Sequence, residues 1–207
     1  MNSYLTIKTP HFAELTEKKS RFIASLYPCT TEEEASAILA EIKSKYWDAR
    51  HNVYAYILNS GTVRFSDDGE PHGTAGKPVL DVLTGSGLTD VIIVVTRYFG
   101  GILLGTGGLV RAYSGTAKLC LDSAQKVEMC PCVWCKIDCD YQNHAKLISL
   151  IEEKGGTLNQ EEFTDVVTVS FSFKEEDIEA FEAALTERFS ARLENTRIKN
   201  DFSPFFI

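Results

Sequence analysis

The chain predicts an α+β protein built as two α/β sandwich domains, residues 1–130 and 131–207, and three observations carry this. The run VIIVVT at 91–96 is continuously apolar and β-branched, as expected of a strand buried on both faces, and a segment of helical period follows it. After residue 131, strand-like and helix-like stretches alternate in the order β-α-β-β-α-β, that of a ferredoxin-like sandwich. Charge changes at the same place. Residues 1–130 hold 13 Lys/Arg and 14 Asp/Glu and residues 131–207 hold 8 and 15, so the net charge of −8 lies almost wholly in the second part.

In the first domain, RFIASLY at 21–27 reads as a strand. TTEEEASAILAEIKSKYW then opens with the capping-box spacing Thr31-x-x-Glu34 and places Ala35, Ile38, Leu39 and Ile42 on one helical face. NVYAYILN and VRFS flank Ser60-Gly61 as a hairpin. SDDGEPHGTAG follows as a loop, and KPVLDVLTG as a short helix with Thr74 near its start and Gly85 beyond its end. The strand VIIVVT then leads to a helix over about 106–124 that turns Leu109, Val110, Tyr113, Ala117 and Leu121 inward.

In the second domain, VWCKIDCDY is a strand and NHAKLISLIEEKGG a helix with Leu147, Ile148 and Ile151 inward. TLNQEEF and VVTVSFSF form two strands around Thr164-Asp165. KEEDIEAFEAALTERFS is a helix burying Ile178, Phe181, Ala184, Leu185 and Phe189, and ARLENTRIK closes as a strand. The terminal DFSPFFI is expected to pack on the body of the domain.

Five glycines, Gly100, Gly101, Gly105, Gly107 and Gly108, fall in nine residues between the buried strand and its helix. Glycine admits close backbone approach and positive φ, and the first N–H groups of a helix lack internal partners. Together with the positive end of the helix dipole these make an anion site. Arg97 and Tyr98 at the strand end, Thr106 and Arg111 at the helix start, and Lys77 on the preceding helix are its candidate ligands, since a guanidinium fork suits phosphate or carboxylate. The competing reading is that the glycines only let strand and helix pack closely. The loop has neither the Gly-Lys-Ser/Thr of a Walker A motif nor the G-x-G-x-x-G order of a dinucleotide fingerprint, and no cofactor is expected.

Asp67, Asp68 and Glu70 form an acidic loop. Divalent-metal binding is one reading; the other is an Asp-Gly turn whose carboxylates cap backbone N–H groups and pair with Arg97 or Arg111, which is the reading preferred for Asp68. From Arg64 to Lys118 five basic residues balance five acidic ones, the mark of an internally paired site. His51 and His72 have no neighbouring nucleophile and read as structural. Cys130, Cys132, Cys135 and Cys139 invite a zinc reading, but the alternation in VWCKIDCDY argues for a strand. Four residues along a strand separate Cα atoms by ~13 Å, too far for two thiolates each ~2.3 Å from one zinc ion. No metal site is assigned.

The first twenty residues lack the basic and apolar regions of a signal peptide, and no run reaches the roughly 18 apolar residues of a membrane span. A cytoplasmic protein with reduced cysteines and no membrane contact is expected. The acidic balance excludes bulk attraction to nucleic acid, so such contact needs a local basic patch.

The stretch FSDDGEPHGTAGKPVLDVLTGSGLTDVIIVVTRYFGGILLGTGGLVRAYSG at 65–115 resembles the signature of the IMPACT family, in its two-domain YigZ-type bacterial branch, and the resemblance covers the whole chain. It places Asp67, Asp68, Gly69, Glu70, Gly73, Thr74, Gly76, Lys77, Pro78, Arg97, Tyr98, Gly100, Gly101, Gly105, Thr106, Gly107, Gly108 and Arg111 at motif positions. The resemblance implies a first domain like the second domain of a small-subunit ribosomal protein and a second like the fifth domain of elongation factor G. It implies a link to translation, because the family's eukaryotic members regulate initiation, through an additional protein-binding domain without counterpart in this sequence.

Two functions follow as expectations. One is a translation-associated binding protein that grips RNA, the ribosome or a translation-related protein through the Arg97/glycine-loop/Arg111 surface. The other is an enzyme or sensor for a small phosphate-bearing ligand, with Lys77 and Arg97 neutralising the phosphate and Asp67 or Glu70 holding Mg²⁺ or a proton.

Overall fold

The structure, a computed structural model, describes residues 2–206, with side chains through residue 204. The order along the first part is β1 (Tyr4–Ile7), β2 (His11–Glu17), β3 (Ser20–Pro28), α1 (Glu32–Lys45), β4 (His51–Ile57), β5 (Val63–Ser66), α2 (Gly76–Ser86), β6 (Val91–Tyr98) and α3 (Gly105–Ser123). The rest is β7 (Lys126–Cys139), α4 (Tyr141–Glu153), β8 (Thr157–Phe163), β9 (Val167–Lys174), α5 (Ile178–Phe189) and β10 (Thr196–Phe206). The protein is α+β, with two sheets, and divides into two compact units, Tyr4–Glu128 and Met129–Phe205. Among the described residues no helix is long and apolar enough to cross a membrane.

In the first unit the sheet order is β2-β3-β6-β4-β5, antiparallel throughout. The run VIIVVT becomes the central strand because both its faces are covered. Val91, Ile93 and Val95 join the core under α2 and α3, while Ile92 and Val94 join the core under α1. At the start of α1, Thr31 Oγ1 accepts from the Glu34 backbone N–H at 3.2 Å, and the Glu34 carboxylate accepts from the Thr30 N–H at 2.7 Å.

Four local expectations are corrected. α2 runs through Gly85 to Ser86 and stops at Gly87, whose φ of 71° supplies the left-handed cap. In α3 the inward face is Leu109, Ala112, Tyr113, Thr116, Ala117, Cys120 and Leu121, and Val110 is exposed. β7 begins at Lys126, well before the expected strand. β10 begins at Thr196 because Ser190 and Ala191, both left-handed, end α5 and use up the chain expected to start the strand.

In the second unit the strands lie in the order β10-β7-β9-β8, with α4 and α5 packed on one face. This is the spatial order of a ferredoxin-like sandwich. Phe181 of α5 stacks on Phe173 at 4.5 Å between centroids and meets Phe171 edge-on at 5.1 Å, which anchors helix to sheet. Cys135 and Cys139 both lie in this core, as strand neighbours on one face must. Phe202 is half-buried; the side chains of residues 205–207, also expected to pack, lie outside the described residues.

Candidate functional site

The glycine loop is fixed first by steric fit. A Cβ on Gly100 would stand 2.0 Å from the carbonyl carbon of Lys19, so only glycine lets the loop lie against the β2–β3 turn. The Gly100 N–H donates to Ser20 Oγ at 3.2 Å, tying the two segments. That turn is a two-residue hairpin made by Lys18 and Lys19, with φ of 44° and 66°. Positive φ in two successive lysines is a backbone cost usually met by Asn or Gly. Gly105, with φ of 69°, then opens α3.

The start of α3 has no side-chain cap: its N-cap is Leu104. Beside it lies a surface cleft of about 200 Å³ lined by Leu15, Glu17, Lys18, Leu104, Gly108, Arg111 and Ala112. Arg111 stands in the second turn of the helix, not the first as expected, but helical side chains tilt toward the N-terminus. Its Nη1 reaches back to within 3.5 Å of where a Cβ on Gly107 would sit. Arg111 and Lys18 are exposed, and neither takes part in an ion pair among the described residues. The cleft therefore brings two free cations and the positive end of a helix to one point, opposed by the carboxylate of Glu17.

Arg97 lies elsewhere. It is buried, and its Nη1 donates to Glu70 Oε1 at 2.6 Å. The same oxygen accepts from the Tyr113 hydroxyl at 2.8 Å. Burial, then the Glu70 charge, pushes the Tyr113 hydroxyl far above its ordinary range, so it stays a donor. The Arg97 guanidinium sits between two rings, 5.5 Å from the centroid of Phe22 and 5.6 Å from that of Phe99.

The acidic loop is committed to backbone. Asp67 Oδ1 accepts from Gly76 N–H at 2.7 Å and Ala75 N–H at 3.1 Å, and Oδ2 from Gly73 N–H at 2.9 Å, so this carboxylate caps α2. Burial raises its pKa, but the three N–H donors outweigh it and hold the group below the usual carboxylate range. Asp68 accepts from the Asn52 N–H at 2.6 Å and pairs with Lys43 at 2.9 Å. His51 Nδ1 lies 2.8 Å from the Asp68 carbonyl, which its ring N–H satisfies, and its Nε2 is 3.9 Å from Glu70.

The comparisons with known proteins bear on this arrangement. The family model "Impact N-terminal domain" matches residues 18–121, and "Domain of unknown function (DUF1949)" matches residues 137–192. The chain belongs to the IMPACT family. An IMPACT family member of Haemophilus influenzae is 42% identical over 200 residues, covering 93% of this chain and 96% of the relative. The IMPACT family member YigZ of Escherichia coli is 35% identical, covering 90% and 94%. A crystal structure described only as a hypothetical protein matches with a TM-score of 0.64 at 33% identity, covering 96% of this chain and 98% of that one.

Of the residues singled out in this IMPACT chain, Gly108 and Arg111 line the cleft, with Gly105, Thr106 and Gly107 on the adjoining helix turn. Gly100 and Gly101 form the loop before it. Tyr98 is half-buried and gives its hydroxyl to Asp48 at 2.7 Å. Lys77 pairs with Asp81 on α2 and is not among the cleft residues. Lys18 went unnoticed in the sequence. Its signal was there: EKKS divides HFAELTE from SRFIASLY, two stretches of alternating pattern.

Proposed function

We propose that this IMPACT chain is a translation-associated binding protein that holds a phosphate of RNA in the cleft at the start of α3. The observation that supports it is the meeting of Arg111 and Lys18 over an uncapped helix start. The family resemblance supports the translation apparatus as the source of that RNA. Cleft size favours a backbone phosphate over a whole nucleotide: about 200 Å³ is less than the ~300–1,000 Å³ of ordinary small-molecule pockets. The carboxylates that a kinase-like reaction would need for Mg²⁺ are engaged, Asp67 by backbone N–H groups and Glu70 by Arg97 and Tyr113. Arg97 supports the loop from within and is not itself a phosphate ligand in this reading.

The test is anisotropy of a labelled RNA oligomer titrated with protein at several salt concentrations, beside calorimetric titration with nucleoside triphosphate and Mg²⁺. RNA affinity should fall steeply with salt, and Arg111→Ala should reduce the log–log slope by about 1. Saturable nucleotide binding without RNA binding would overturn the proposal and restore the small-ligand reading.

A further inference from the structure

α1 covers only part of its sheet face. Ile38, Leu39 and Ile42 pack over Tyr54, Tyr56, Ile92 and Val94. The uncovered remainder, toward β2 and the end of β6, is aromatic. Phe12 on β2 is 45% exposed and meets Tyr27 of β3 edge-on at 5.7 Å between centroids. Lys45 Nζ lies 5.2 Å from the Phe12 ring and 5.3 Å from the Tyr46 ring. Trp47, the next residue, is 83% exposed. Tyr98 lies opposite Arg21 in the β3–β6 register, and one residue further Phe99 is 44% exposed, backed by the Arg97 guanidinium.

This strip and the phosphate cleft share one edge of the sheet. Lys18 and Lys19 form the turn that leads to Arg21, and Gly100 of the same turn contact follows Phe99 directly. Of the carboxylates along the strip, Glu14 is paired with Arg21 and Asp48 accepts from Tyr98, while Glu41, near Tyr27, stays exposed and Glu17 lines the cleft.

On the strength of the phosphate-cleft reading, we infer that the RNA this surface takes is single-stranded, its bases stacking on Trp47, Phe99 and neighbouring rings while Arg111 and Lys18 hold the backbone. The chemistry of the strip selects this partner. In a duplex the base faces are hidden in the stack, and proteins read A-form RNA through 2′-hydroxyls and phosphates, for which exposed rings are of no use. Unpaired bases offer a planar face to any aromatic ring, and cations interleaved with rings track the backbone beside them. A protein partner would use the rings but leave the cleft cations and their helix start unexplained.

The chain has two tryptophans, so Trp134→Phe in the full chain leaves Trp47 as the sole indole reporter. This protein is titrated with an unlabelled 12-nucleotide single-stranded RNA and with a 12-base-pair RNA duplex. The single strand is expected to quench Trp47 and to bind at least tenfold more tightly than the duplex. In the native background, Trp47→Leu is expected to weaken single-strand binding roughly 5- to 150-fold, the range for one lost base stack, and to leave duplex binding unchanged. Trp47 is exposed, so unaltered thermal unfolding serves as the fold control. Equal affinity for the two RNAs, or an unaffected Trp47→Leu, overturns the single-strand inference; if Arg111→Ala still weakens both RNAs, the phosphate cleft stands. Absence of binding to either RNA overturns the inference and the reading beneath it.

Discussion

Arg97→Met removes a guanidinium from the most buried polar cluster of the first unit. The side chains of Arg97 and Glu70 are 8% and 4% exposed, and they meet at 2.6 Å. Without the guanidinium, the Glu70 carboxylate keeps only the Tyr113 hydroxyl at 2.8 Å and His51 Nε2 at 3.9 Å. Breaking one side of a buried pair typically costs about 3–5 kcal/mol, because the other charge stays in low dielectric. At a urea dependence of about 2 kcal/mol per molar, a 4 kcal/mol loss lowers the midpoint by about 2 M. Glu70→Leu alone is expected to be comparably damaging, since it leaves the guanidinium unpaired between Phe22 and Phe99. The double variant should be far milder than the sum of the two. It still strands the Tyr113 hydroxyl, a residual cost of about 1–3 kcal/mol that Tyr113→Phe should relieve. Because the chain has two units, hydrogen exchange of the β6 amides is the assay that reads this one separately. A loss below about 1 kcal/mol for Arg97→Met, or strict additivity in the double variant, would refute the pairing as the source of stability.

Two further outcomes can be checked. Asp67 has its pKa depressed in the folded state, so it contributes stability above the unfolded value of roughly 3.9. That contribution is lost as pH falls through the lower folded value. Asp67→Asn should therefore be destabilised at pH 7 by about 1–3 kcal/mol, with the gap from wild type narrowing below roughly pH 4; parallel stability curves across that window would count against the cap. Gly100→Ala pushes a methyl against the Lys19 carbonyl and should cost about 1–3 kcal/mol and disorder the cleft. Gly85→Ala, in open space on α2, should instead gain about 0.4–1 kcal/mol by restricting the unfolded chain, and a thermal melt of the two variants tests both signs.

What could be read from the sequence follows what periodicity reports. β6 was visible because a strand covered on both faces needs continuous β-branched residues, and α1 and α5 because their apolar spacing is regular. Val110 was misplaced because apolarity was taken as inwardness: in α3 the buried stripe passes instead through Ala112 and Thr116, which are small enough for close packing. β2 was missed because its inward residues, among them His11, Ala13 and Leu15, are only half covered and its pattern is weak. The hairpin turn escaped because it lacks the Asn or Gly that marks such turns. The glycine loop and Arg111 were legible as a place, yet their meeting with Lys18 depends on a contact between segments some eighty residues apart. For Asp67, Asp68 and Glu70 the residue types allowed both metal binding and capping. Only their placement against Gly73, Gly76, Asn52 and Arg97 decides between the two.

The contact between Gly100 and the Lys19 backbone has a consequence for how a ligand would be received. One wall of the cleft belongs to the hairpin and the other to the loop and helix, and this contact, with the Ser20 bond, keys them together. The two walls open and close as one body, so a phosphate arriving there finds its cations already in place. Immobilising each free side chain at a binding site ordinarily costs about 0.5–1.5 kcal/mol. A loop anchored in the folding step spends its ordering entropy before the partner arrives, leaving only the tips of Lys18 and Arg111 to be fixed.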